Sequence, residues 1–322
     1  DGRLVGVVIP DVARMRVPEM LAGLEGGLRE AGYSLLLGGS GDWREQEAEQ
    51  IGRLVGQGVS GLILYPVDGA SNAPLLRRLR ADGLPVVLID RYLPELEVDA
   101  VVADNIVGAC QAVGHLLRVG RQRIGFVSTN NLGTSSIAER RAGYLLALEQ
   151  LATEGGRPSV IGPTCRELRR LFRWPSEDQA ARHNLLVLEQ YLSRPDRPDA
   201  VFAVNDMVAF QVLEAASRLG LHIPDDLAVV GFDNLGSPDY AGVPLTTVEQ
   251  PREAIGRVAA ELLHDAIVGR RTEPARVVLA TRLIVRQSSM RQASVNHPSP
   301  EESSAAEDSA LTGAVGSSAS SP

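Results

Sequence analysis

The chain has 322 residues, 44% of them hydrophobic and 22% charged, with a formal net charge of −8 and a pI near 5.3. This balance fits two lobes of ordinary size plus a tail and excludes a fibre or a membrane-spanning protein: the longest apolar runs, such as Leu35–Leu37 and Val101–Ala103, fall far short of the ~20 residues a spanning helix requires. The acidic character argues against this chain wrapping nucleic acid through a broad basic face, so a DNA partner would have to be touched by another segment.

The sequence opens at Asp1 without Met, and no basic stretch leads into an apolar one, so no targeting peptide is visible; a removed leader and a removed N-terminal domain would look the same. Cys110 and Cys165 allow at most one bridge, and a chain of this length needs no staple, which points to a reducing, cytoplasmic compartment.

In chain order, Leu4–Ile9 is a short β-branched run ending at Pro10-Asp11, as a buried strand does. Pro18, then Met20, Leu21, Leu24 and Leu28 at helical spacing, predict a helix that Gly32 ends. Strand Ser34–Leu37, helix Arg44–Val55, strand Gly61–Tyr65, helix Pro74–Ala81, strands Pro85–Ile89 and Ala100–Ala103, and helix Ile106–Val119 follow. A second series runs through strand Arg123–Val127, helix Ile137–Leu151, strand Ser159–Ile161, helix Glu177–Leu192, strand Ala200–Val204, helix Met207–Leu219 and strand Ala228–Phe232. After a Gly-, Pro- and Asp-rich stretch come strand Leu245–Val248, helix Arg252–Val268 and strands Val277–Ala280 and Arg282–Val285. Strands regularly separated by helices specify parallel sheets covered on both faces, so the fold class is α/β with two doubly wound lobes. From about Arg291 the chain has almost nothing to bury, and a disordered tail is expected over 291–322.

In open parallel sheets ligands bind at the carboxyl ends of the strands. Polar residues recur there: Asp11, Asp90-Arg91, Asp104-Asn105, Asn205-Asp206 and Asp233-Asn234. Carboxylates, amides and guanidinium forks in one cleft are what adjacent sugar hydroxyls require. Each could equally cap the helix that follows, and for Asp206 capping is the expected role. Trp174 is either a platform for the C–H face of a sugar or base, or a core residue. Arg166, Arg169, Arg170 and Arg173 are either an anion site or a solvated helix face, the solvated face being the expected reading.

Catalytic constellations are missing from the text. Gly56, Gly58 and Gly61 have dinucleotide-loop spacing but precede a strand instead of following one. No nucleophile elbow, phosphate loop or His-Glu-x-x-His occurs, and His115, His183, His222, His264 and His297 are scattered, so neither an enzyme, nor a cofactor, nor a metal is expected.

The run Val204-Asn205-Asp206-Met207-Val208-Ala209, followed by Ile223-Pro224-Asp225-Asp226-Leu227 through Gly231-Phe232-Asp233, closely resembles the LacI/GalR family of bacterial transcriptional repressors. The likeness extends through Pro244-Leu245-Thr246-Thr247-Val248, Gln250-Pro251 and Arg282–Arg286, and upstream through Asp104-Asn105, His115-Leu116, Gly120–Ile124 and Glu139–Tyr144. It implies a periplasmic-binding-protein-like (type I) effector domain: two lobes joined by three crossovers, a sugar or related metabolite between them, a homodimer, and operator DNA held by a domain absent from these residues, helix-turn-helix or winged-helix. The crossovers are expected near Val119–Arg123, Asp233–Thr246 and Val277–Arg282, giving lobes of 1–121 plus 246–278 and 122–245 plus 279–290. First-lobe helices, the one after Arg252 among them, are candidates for the dimer contact.

Carried onto matching positions, the resemblance implies Asp233 and Arg140 as direct ligand contacts, followed by Asn205 and then by Asp90 and Trp174; Asp11, at the end of the first strand, is a further candidate from its position alone. Where the family usually has Asn-Pro and two aromatics, this chain has Met15-Arg16-Val17-Pro18; Arg16 brings an acidic or phosphorylated sugar into consideration. A secreted sugar-binding protein serving a transporter shares this fold and is the alternative, and an enzyme acting on a sugar or nucleoside the weaker one.

Overall fold

The computed structural model describes residues 3–10, 17–41, 43–69, 72–131, 133–154, 160–161, 165–168, 179–236 and 242–290. The expected tail lies outside the described residues, as does the segment holding Arg169, Arg170 and Arg173.

The first lobe contains β1 (Leu4–Ile9), α1 (Val17–Glu30), β2 (Ser34–Gly39), α2 (Arg44–Gly56), β3 (Leu62–Leu64), α3 (Ala73–Ala81), β4 (Val86–Ile89) and β5 (Asp99–Ala103), joined much later by α8 (Arg252–Ile267) and β12 (Arg276–Leu279). Its sheet runs β12-β5-β4-β3-β1-β2, every pairing parallel. The inner strands β1, β3, β4 and β5 are largely apolar and buried because both their faces are covered, whereas the edge strands β2 and β12 are partly exposed. Val5, Val7 and Ile9 meet Met20, Leu24 and Leu28 of α1 and Ile255, Ala259 and Leu263 of α8, whereas Val8 turns the other way, to Ile51 of α2 and Leu76 of α3. Helices α1 and α8 touch backbone to backbone: a Cβ on Gly23 would lie 2.0 Å from the Glu253 carbonyl oxygen, and one on Gly256 2.2 Å from that of Met20. The apolar stripe of α8 is therefore core of its own lobe.

The second lobe contains α4 (Asn105–Arg118), β6 (Arg123–Thr129), α5 (Ser135–Glu154), β7 (Val160–Ile161), β8 (Cys165–Leu168), α6 (Gln179–Leu192), β9 (Ala200–Ala203), α7 (Asp206–Arg218), β10 (Ala228–Phe232), β11 (Thr246–Glu249) and β13 (Arg282–Ile284). The sheet order is β13-β11-β10-β9-β6-β7, with β8 also on β6; β13 is antiparallel to β11. Strand β8 was not legible from the sequence.

Two expected crossovers are corrected. Ala109, Ala112, Val113 and Leu116 of α4 bury into the second lobe's core with Phe126, Phe202 and Phe232, so the chain changes lobe before α4, at Ala103–Asn105, and not at Val119–Arg123. Likewise β11 hydrogen-bonds to β10, pairing Val230 with Thr246 and Phe232 with Val248, so the second crossover follows Glu249 and does not end at Thr246. The chain passes from the first sheet to the second again between Leu279 and Arg282. This passage lies beside the first: the Asp104 N–H donates to the Leu279 carbonyl at 2.8 Å, and Thr281 Oγ1 to the Asp104 carbonyl at 3.2 Å.

Candidate functional site

Each sheet reverses its strand order once. From β1 the chain passes to β2 on one side and then to β3 on the other; from β6 it passes to β7 and then to β9. At such a switch point the loops beyond the carboxyl ends diverge and leave a crevice. The loop after β3 begins at Tyr65, that after β4 at Asp90, that after β9 at Val204-Asn205, and that after β10 at Asp233. Asp11, Arg16 and Trp174 lie outside the described residues.

Asp233 and Arg140, expected together, are together. Asp233 has φ 117° and the following Asn234 φ 51°, left-handed backbone that costs a non-glycine residue of order 1–3 kcal/mol and persists only where surroundings impose it. Here the Asp233 N–H is tied to the Val248 carbonyl at 2.7 Å, and the Asn234 N–H to Thr247 Oγ1 at 3.2 Å. The Asp233 carboxylate faces Arg252 Nη2 at 3.1 Å and Arg140 Nη2 at 3.6 Å, and accepts a hydrogen bond from Gln250 Nε2. Arg140 is buried and aimed: Nε donates to Asn105 Oδ1 at 2.9 Å, Nη1 to the Val204 carbonyl at 2.8 Å, and the guanidinium lies 3.8 Å above the Phe232 ring.

Asn205 caps α7: its Oδ1 accepts from the Val208 N–H at 2.9 Å, with extended backbone at φ −155°. The cap expected of Asp206 is thus made by its neighbour. Asp206, already inside the helix and fully buried, instead accepts from Thr247 Oγ1 at 2.6 Å and from the Leu235 N–H at 2.7 Å. Burial, and then the nearby Asp233 charge, push its carboxyl up to about 7. Asp104 caps α4 through the Val107 N–H. Asp90 is buried at φ 66° beside Arg91 Nε at 3.4 Å. Arg91 is held by the Pro66 and Val67 carbonyls and lies 5.0 Å above the Tyr65 ring.

The sequence reading missed Gln250 and Arg252 at the site, and took Asp206 for a cap. Arg252 is the first residue of α8, where a cation opposes the helix dipole; that unfavourable placement is the signal that could have found it. Burial works against its charge, yet Asp233, Asp90, Tyr65 and Glu19 together raise its pKa, and its buried Nε has no hydrogen-bond acceptor among the described residues. The site is therefore a floor of alternating carboxylates and guanidiniums, contributed by α5 and the β10 loop of one lobe and by the β4 loop and α8 of the other.

A family model described as a periplasmic binding protein-like domain matches residues 113–289. The HTH-type transcriptional repressor CytR of Escherichia coli K12 is 29% identical over 291 residues, spanning 89% of this chain and 80% of that protein. The HTH-type transcriptional regulator CelR of Thermobifida fusca is 34% identical over 265 residues, spanning 81% and 72%. Among solved structures, a LacI family transcriptional regulator from Enterococcus faecium with bound ribose superposes with a TM-score of 0.69 at 25% identity, covering 89% of this chain and 100% of that one. With the switch-point crevice, the Asp233–Arg140 pair and these likenesses together, the chain belongs to the LacI/GalR family of transcriptional regulators, of which it forms the ligand-sensing effector-binding domain.

Proposed function

We propose that the effector is a sugar or a related polyhydroxylated metabolite, held between the lobes by Asp233, Arg140, Asn205 and Asp90, with Asp11, Arg16 and Trp174 as further contacts. The observation that carries this reading is the Asp233 carboxylate, set by a left-handed backbone between guanidiniums from both lobes. Adjacent hydroxyls take an acceptor and a forked donor together, and Asp233 with Arg140 supplies both. The ribose in the Enterococcus faecium structure supports the ligand class. We place the lobes at 3–104 with 250–280 and at 105–249 with 281–290.

The domain assigns no reaction to these groups; it acts by geometry. A ligand bridging the lobes favours one relative orientation by as much as its affinities for the two orientations differ. A homodimer partner and a DNA-binding segment outside this domain sense that orientation, and effector and operator affinities are then reciprocally coupled. Asp233→Ala and Arg140→Ala each weaken effector binding by about 10- to 100-fold, the effect of losing charge-assisted hydrogen bonds, with lobes that remain folded by circular dichroism. Calorimetric titration with unchanged affinity in both variants would overturn the assignment.

A further inference from the structure

Arg140 is the end of a hydrogen-bonded chain that starts in the other lobe. Tyr92, in the first-lobe loop after β4, donates its hydroxyl to Glu139 Oε1 of α5 at 3.0 Å. Glu139 Oε2 accepts from Asn105 Nδ2 at 3.0 Å, and Asn105 Oδ1 accepts from Arg140 Nε at 2.9 Å. Beside this, the Tyr92 N–H donates to Ser135 Oγ, also on α5, at 3.0 Å. Arg276 of β12 lies 4.5 Å from the centre of the Tyr92 ring and fixes it from its own lobe. Burial and the Glu139 charge both hold the phenol above its ordinary pKa, so it stays a donor through neutral pH. A second contact closes the lobes elsewhere: Gly69, in the loop after β3, touches Gly133, in the loop after β6, so closely that a Cβ on Gly69 would stand 1.9 Å from the Gly133 carbonyl oxygen.

We infer that Tyr92 and Glu139 are positioning residues for the ligand-binding arginine: the Tyr92–Glu139–Asn105–Arg140 chain forms when the lobes close, and so couples closure to the orientation of Arg140. Tyr92 can reach Glu139 only while its loop rests on α5. Opening the lobes leaves Glu139 without the phenol and removes a fixed end from the chain that sets Arg140 Nε. The Gly69–Gly133 contact is a separate stop, since no side chain fits there while the lobes are shut. The effect on ligand affinity rests on the assignment of Arg140 to the ligand; the fastening of the lobes does not.

The test is therefore made without ligand. Spin labels at Leu37→Cys and Leu186→Cys, both exposed and one in each lobe, are placed in a chain carrying Cys110→Ser and Cys165→Ala, and the interlobe distance distribution is measured by double electron–electron resonance. Tyr92→Phe moves the closed-to-open ratio about tenfold toward open, the effect of losing one hydrogen bond to a carboxylate. Glu139→Gln, which keeps an acceptor for the phenol, moves it less, and Gly69→Ala, whose methyl meets backbone, moves it more. A distribution unchanged in Tyr92→Phe would overturn the inference, whatever Gly69→Ala does. Because no sugar is present, a wrong effector assignment leaves this result untouched.

Discussion

Asp206 makes the folded domain sensitive to pH in a calculable way. Its carboxyl titrates at about 7, against 3.8 for the unperturbed group, because it is buried and lies near Asp233. The folded chain thus holds this proton more tightly than the unfolded chain. Its contribution to stability is fully present below pH 3.8 and is lost as the pH rises through about 7. At about 1.4 kcal/mol per pH unit, the loss between pH 5 and pH 8 amounts to about 2–3 kcal/mol. Asp206→Asn removes the titration; it also gives up one of the two acceptors used by Thr247 and the Leu235 N–H, a penalty of about 1 kcal/mol that does not vary with pH. Urea unfolding of both chains at pH 5, 6, 7 and 8 isolates the effect of Asp206 and its coupling to Asp233, because titrating groups that do not interact with Asp206 cancel in the difference. The wild-type chain should lose about 2–3 kcal/mol relative to the variant across that range. Parallel pH profiles would refute the assignment of a near-neutral carboxyl to Asp206.

Gly256→Ala should destabilise the first lobe by about 3 kcal/mol or more in denaturant titration, since its Cβ would meet the Met20 carbonyl oxygen at 2.2 Å and force α1 from α8. Asn205→Ala should cost about 1 kcal/mol of stability through the lost α7 cap, and weaken effector binding as well; a loss of stability with unaltered affinity would leave Asn205 a cap alone.

The alternating α/β order was legible because parallel strands buried on both faces read as unbroken apolar runs, as in Leu4–Ile9. The crossovers were less so. The apolar face of α4 tells that it is buried but not against which sheet, and the strand read at Leu245–Val248 likewise does not tell which sheet it joins: Thr246 and Thr247 are tied into the second lobe by Ser289, Arg286 and Asp206, all distant in sequence. Composition alone also cannot separate two adjacent capping residues: Asn205 caps because its backbone is extended, and Asp206, one step later, is already helical. At the site, Asp233 and Arg140 were carried by family likeness. Arg252 was read only as the start of a helix; its unfavourable place at the helix N-terminus marks it as unusual, but its partner Asp233 emerged only from the tertiary approach between α8 and the β10 loop.

The most direct test of the account is thermal denaturation of this chain in the presence of neutral sugars, sugar acids, sugar phosphates and purines, with Asp233→Ala measured alongside. A ligand that binds only the folded state at a hundred times its Kd adds about 2.7 kcal/mol. One sugar class should raise the melting temperature of the wild-type chain and fail to raise that of Asp233→Ala. A shift of equal size in both chains, or one from purines alone, would contradict a sugar held on Asp233 between the lobes.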